Sequence, residues 1–251
     1  MYTKVKTKQE IVAMRQSGRI LANILKTLSH SIAAGMSTKD LSEIAKKELI
    51  ALGGKPTFLG YNGFPDVICI SINDEVVHGI PRADKIIHSG DLVSMDFGVT
   101  FEGMITDAAT SVIVDRAVSR QEISLLNDTK KSLEAGIAVI EDGVKVGSIG
   151  AAIEKVLNRN HYGIVRDLVG HGVGHQLHED PNIPNYGRIN TGPILHSGMT
   201  IAVEPMATLG SQEVTMDIDG WTVRTRDGSL AAHFEHTILI TDNSFEILTQ
   251  I

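Results

Sequence analysis

A constant shift of 108 positions lays one part of this sequence over another, and that echo constrains the fold more than any single motif. Leu41, Ile44, Ala45 and Leu49, an apolar set at helical three-four spacing, return as Ile149, Ala152, Ile153 and Leu157. Gly35 returns as Gly143, and His88-Ser89-Gly90 as His196-Ser197-Gly198. The adjoining runs, HSGDLVSMDFG at 88–98 and HSGMTIAVEPM at 196–206, each lead an apolar strand into a carboxylate, Asp96 in one and Glu204 in the other. A duplicated helix-helix-strand unit explains these matches together. The expectation is an α/β chain with two related halves, about 1–115 and 116–251. No Pro- or Ser-rich linker stands near residue 115, so the halves are expected to share one sheet in a single catalytic domain over 1–251.

Local signals agree with this division. Thr7 with Glu10 three residues later reads as a capping box ahead of a helix over about 8–33. Ser37 and Asp40 start a second helix that Gly53-Gly54 stops. Ser119 and Glu122 form another capping box before a helix through about 141, and Gly143 opens a fourth helical segment. From Val67 onward short apolar runs broken by Gly, Pro, Asn and Asp read as strands and turns.

Side chains alternate along a strand, so Ser94 and Asp96 share a face, as do Ala202 and Glu204, and each acid has a small neighbour on its own side. A hairpin centred on Phe101 and Glu102 is expected to set Asp107 across from Asp96. Residues 213–227 alternate around Asp219-Gly220, a dipeptide typical of two-residue type I′ turns, with Glu204 and Glu235 on the strands to either side. Four carboxylates then converge. At ~4 Å and an effective dielectric of ~20 each pair repels by roughly 4 kcal/mol, so protons or cations must intervene. A mainly oxygen shell suits manganese, iron(II) or cobalt better than a structural zinc.

GHGVGHQLHEDP, residues 170–181, adds three of the ten histidines. Its glycines make a helix improbable, so the stretch is expected to be extended, with His171 supplying one imidazole and His178 standing farther off to hydrogen-bond. VVHGI at 76–80 repeats the His-Gly-aliphatic pattern and brings His78 to the same cleft. His30, His88, His161 and His196 are expected at the surface, with His175, His233 and His236 unassigned. Composition narrows the partners further. A net charge of −7 without a basic run argues against nucleic-acid binding. One cysteine, Cys69, forbids an internal disulfide and suits a reducing compartment. No apolar run reaches the roughly 18 residues of a membrane span, and MYTKVKTKQE lacks an apolar signal core, so a cytoplasmic protein is expected. Asp96-Phe97-Gly98 spells a kinase triplet, but none of its companion motifs accompanies it.

In order and spacing, Asp96, Asp107, His171, Glu204 and Glu235, in their GHG, EP and FEHT contexts, resemble the ligand set of type I methionine aminopeptidases. That resemblance covers almost the whole chain. It implies the pita-bread fold, two pseudo-twofold α/β halves around a mainly antiparallel curved sheet. It also implies two divalent ions (cobalt, manganese, iron(II) or zinc), with Asp107 and Glu235 bridging them, Asp96 on one ion, and His171 and Glu204 on the other. Glu204 would be the general base, His178 the donor to the scissile carbonyl and His78 the group near the scissile nitrogen. Phe58, Tyr61, Cys69, Leu177 and Trp221 match methionine-pocket positions; Phe58 stands where many bacterial members have cysteine, and Leu177 where they often have phenylalanine. Nascent polypeptide N-termini, met at the ribosome, are the implied partners of a monomeric enzyme, and Tyr2 would be too large for its own Met1 to be removed. Alternatives are an X-Pro-directed exopeptidase of the same fold, which usually carries an extra N-terminal domain, and a non-catalytic peptide-binding relative, which typically loses metal ligands.

Overall fold

The computed structural model describes residues 4–250, so Met1 and Tyr2 lie outside the described residues. Three of the four α-helices among the described residues start on reciprocal caps. Helix α1 (Lys8–Ser31) comes after Thr7, α2 (Thr38–Ala51) after Ser37, and α3 (Arg120–Ile137) after Ser119, with Glu10, Asp40 and Glu122 closing the boxes. Helix α4 (Val146–Leu157) has no side-chain cap. Its first N–H groups instead donate to the carbonyls of Pro193 (3.0 Å) and Thr191 (2.9 Å). Helices α1 and α3 end sooner than their periodicity suggests; Ile32 is already extended (φ −63°, ψ 130°).

The first helix of each half leads into the same turn. Gly35 and Gly143, at φ +93° and +84°, reverse the chain so that their N–H groups donate to Ile87 and Leu195, both at 2.8 Å. Ile87 and Leu195 donate in return to Met36 and Val144, again both at 2.8 Å. Every one of these pairs obeys the shift of 108 seen in the sequence.

The strands that matter here are β1 (Cys69–Ile72), β2 (Leu92–Phe101), β3 (Met104–Ile113), β4 (Gly170–Gly172), β5 (Glu179–Ile183), β6 (Thr200–Val203), β7 (Val214–Met216), β8 (Val223–Thr225), β9 (His236–Ile240) and β10 (Phe245–Ile247). All the ladders they form are antiparallel: β2 lies between β1 and β3, and the second half runs β10-β9-β6-β4-β5. Ala109 in β3 and Glu235, just before β9, exchange backbone bonds of 3.3 and 2.9 Å that join the two sets. Each set carries its own apolar core. Leu21, Leu28 and Leu41 on α1 and α2 cluster with Ile70 and Phe97 of the first set, and Leu133, Ile149 and Ile153 on α3 and α4 with Ile201 and Ile238 of the second. Such side chains contribute about 1.5–3 kcal/mol each when fully buried.

Two turns differ from expectation. The β2–β3 hairpin turns at Glu102-Gly103, both at positive φ (48° and 80°), with Phe101 opposite Met104. Gly103 accepts that conformation far better than Phe101 would, which moves the turn one residue along. Asp96 therefore faces Ala109, and Asp107 faces Gly98. Because the slip in pairing is two residues, Asp107 keeps the face of Asp96 and stands diagonal to it. The β7–β8 turn is not a two-residue one. Asp217 N–H donates to Thr222 O at 2.8 Å across residues 218–221. The Asp219 carboxylate caps the N–H groups of Trp221 and Thr222 at 2.8 Å, which holds the wider loop and sets Trp221 beside the cleft.

Candidate metal centre

Each acid reaches the same cleft from a different backbone. Asp96 comes from the middle of β2, and Asp107 from β3, where the Thr237 hydroxyl accepts its N–H (2.9 Å) and donates to its carbonyl (2.8 Å). Glu204 comes directly after the last residue of β6, its carbonyl held by Asn185 Nδ2 at 3.0 Å. Glu235 sits at the junction of the halves, and His171 in β4 opposite Ala202. All five line one cleft, together with His78, His178, Tyr61 and the apolar set Phe58, Cys69, Leu177 and Trp221.

Within it, Asp107, His171 and Glu235 present donor atoms within 4.8 Å of one another. Asp96 and Glu204 stand just outside that trio: the Asp96 and Asp107 carboxyls act directly on each other, and Glu204 Oε1 lies 3.5 Å from His171 Nε2. His171 Nδ1 meets the Gly172 carbonyl at 2.9 Å. A carbonyl can only accept, so Nδ1 carries the proton and Nε2 turns its lone pair to the acids.

Burial governs the charges. It raises the Asp96 carboxyl well above the usual range, with the Asp107 and Glu204 charges adding to it. It lifts Asp107 to about 7 against the opposing action of Asp96, and raises Glu204 and Glu235, on both of which Asp107 acts next. The imidazoles move the other way: burial holds His171 down to about 3 and His78 to about 4, each helped by His178, so both are neutral near pH 7.

Asp96 Oδ1, Asp107 Oδ1 and Glu235 Oε1 are buried with no hydrogen-bond partner among the described residues. An unpaired buried polar atom costs about 1–3 kcal/mol, more when charged, and four carboxyls around one imidazole lone pair make a donor set for a divalent cation. The residues present fit such an ion.

The histidines outside the cleft take several environments. His30, His88, His161 and His196 are exposed, and His175 Nε2 pairs with Glu10 Oε1 at 2.8 Å. His236 bonds Thr249. His233 is buried with neither ring nitrogen hydrogen-bonded among the described residues, its Nε2 3.8 Å from Glu204 Oε2 and 4.0 Å from Glu235 Oε2. Sequence reasoning left it unassigned; its only signal was its place beside Glu235. Phe64 was missed, though it stands in the same YNGF run as Tyr61 and its ring meets Trp221 edge-on at 5.1 Å. Nothing in the sequence marks Asn185 or Thr237 as supports.

Residues 12–242 match the model of metallopeptidase family M24. Methionine aminopeptidase 1 of Bacillus subtilis is 43% identical over 246 residues, covering 98% of either chain. The methionine aminopeptidase of Escherichia coli is 37% identical over 99% of this chain and 94% of its own length. Among solved structures, methionine aminopeptidase from Thermotoga maritima superimposes with a TM-score of 0.97 at 41% identity, covering 99% of this chain and 100% of that one. Prolidase from Pyrococcus furiosus, at 20% identity and a TM-score of 0.79 over 65% of its length, shares the pita-bread fold alone. On these likenesses, with the acids and imidazole gathered in one cleft, the chain belongs to metallopeptidase family M24 and groups with its methionine aminopeptidases.

Proposed function

We propose that this chain is a divalent-metal-dependent aminopeptidase that removes the N-terminal methionine from peptides and nascent proteins whose second residue is small. The observation that carries the reading is a ring-lined apolar pocket opening directly onto buried carboxyls, three of which each leave one oxygen without a hydrogen-bond partner among the described residues. Phe58 and Phe64 meet edge-on at 6.4 Å, and Trp221 closes on Phe64. Such faces suit an unbranched thioether. A terminal ammonium is drawn to the acids beside them.

Two ions, of cobalt, manganese, iron(II) or zinc, held by Asp96, Asp107, His171, Glu204 and Glu235, would supply Lewis acidity and draw a nucleophile from water near neutral pH. Glu204, with its raised pKa, is suited to take up and pass on a proton. The Tyr61 hydroxyl lies 2.8 Å from His178 Nδ1, and in the tautomer in which Nδ1 accepts, Nε2–H is left to donate to a developing oxyanion. His78, neutral in the same cleft, is assigned to the scissile nitrogen. We read the chain as one catalytic unit of two related halves, acting as a monomer in the cytoplasm on chains emerging from the ribosome. No described helix is long and apolar enough to cross a membrane.

Manganese-loaded protein is expected to release methionine from Met-Gly-Met-Met and to leave Leu-Gly-Met-Met and X-Pro peptides largely intact. A preference for X-Pro peptides, read by chromatography of the products, would reverse the assignment. Pocket shape has its own test. A Cβ at Gly98 would lie 2.7 Å from Phe58 Cε1 and 3.0 Å from Thr57 Cβ. Gly98→Ala should therefore push the ring into the pocket and raise KM about tenfold with kcat little changed, as overpacking of about 1–3 kcal/mol implies. Phe58→Cys in that background should restore KM; an unaltered KM in Gly98→Ala would remove Phe58 from the pocket wall.

A further inference from the structure

Glu179, the first residue of β5, organises the turn that carries two cleft residues. Its Oε1 accepts the N–H of His175 at 2.7 Å and of Gln176 at 3.1 Å. Its Oε2 accepts from Lys6 Nζ at 3.0 Å, across 173 positions of sequence. The two side chains are 0% and 4% exposed, so the pair is sealed from water. Two further bonds, one at each end of the residue, fix Lys6. Nζ donates to Lys4 O at 3.0 Å, and the backbone N–H to Gly198 O at 2.8 Å. The segment ahead of α1 is thereby laid against residues 174–179, and Glu10 to His175 forms a second clasp.

The third glycine of the GHGVG run has its reason here. A Cβ at Gly174 would lie 2.4 Å from Lys6 Cε and 2.9 Å from Nζ, so a side chain there would push the lysine off its present course, and the positive φ of +146° also favours glycine. Between the bonded ends of the turn stand Leu177, packed with Phe58, Phe64 and Cys69, and His178, its ring 4.3 Å from that of His171. A buried ion pair adds little net stability, because desolvation offsets the attraction; what it can do is select one geometry.

We propose that Lys6 is a positioning residue: through Glu179 it fixes the 174–179 turn, and with it the placement of His178 and Leu177 against the substrate. This rests on the peptidase reading above, and the test separates the two. In manganese-loaded protein, Lys6→Met is expected to lower kcat/KM about 30-fold by displacing the turn. His178→Ala should cost about 100-fold in the wild type but no more than about threefold in the Lys6→Met background, since His178 is already misplaced there. Calorimetric manganese affinity should be the same in all three variants, no donor having been touched. Losses that simply multiply would make Lys6 structural and overturn the proposal.

Where Lys6→Met does not fold, Glu179→Gln takes its place. Its amide oxygen can still receive the His175 and Gln176 N–H groups, while its amino group cannot accept from Lys6. The nitrogen NMR signals of the His178 ring report its bond to Tyr61 without turnover. Loss of that signature in either variant supports the role of Lys6 whatever the activity of the wild type, and its retention defeats it.

Discussion

Asp107→Asn should abolish measurable methionine release, with kcat/KM falling by at least about 10³-fold, a change worth about 4 kcal/mol in the transition state. The substitution keeps the shape of the side chain and leaves the two Thr237 bonds, which are to the Asp107 backbone, in place. Folding should survive, and circular dichroism should be unchanged. What disappears is one of the three donors that lie within 4.8 Å of one another, replaced by a neutral amide oxygen. Manganese titration should accordingly show a large loss of affinity in the same variant. Wild-type affinity in Asp107→Asn would mean that metal is held, and the reaction carried out, elsewhere.

The second large effect is on stability. Free metal at about 100 times its Kd adds about 2.7 kcal/mol to folding, which for a chain of this size raises Tm by roughly 5–10 °C. That increment should grow with pH. In the metal-free fold Asp96, Asp107, Glu204 and Glu235 have raised pKa values, Asp107 at about 7, so they hold protons that the unfolded chain has already released near pH 4. Stability from these groups is therefore full below pH 4 and is lost as pH rises toward and through 7. A metal held by these acids would replace those protons and remove the loss. His78, His171 and His233 act in the opposite direction, their lowered values costing stability as pH falls below about 6.5, but they are neutral with or without metal and cancel in the difference. Thermal melts with and without manganese should separate more at pH 8 than at pH 5.5. An equal gap at both would mean that the acids do not exchange protons for metal.

Much of this was legible in the sequence because it is local or periodic. Thr7 with Glu10 and Ser119 with Glu122 announce helix starts within four residues of chain, and the apolar sets on α2 and α4 repeat at one offset. The acids could be singled out because a charged side chain at the end of an apolar strand is costly unless something compensates it. Register was less legible. The β2–β3 turn depends on which of Phe101, Glu102 and Gly103 takes positive φ, and a shift of one residue there moved the partner of Asp96 from Asp107 to Ala109. Least legible were contacts between distant segments. Nothing near Lys6 announces Glu179, and nothing near Thr237 announces Asp107, since both meetings are made only by the closed fold.

The backbone bonds between Ala109 and Glu235 have one more consequence. They lie on the seam between two separately packed cores, and the donors stand on both sides of it. A seam pinned this close to the acids would keep the donor spacing from widening, and ions would then be graded by radius: small ones at ~2.0–2.2 Å would fit, whereas calcium, which asks for ~2.3–2.6 Å and more oxygens, would not. Ionic selectivity would then come from the stiffness of the join as much as from the chemistry of the donors.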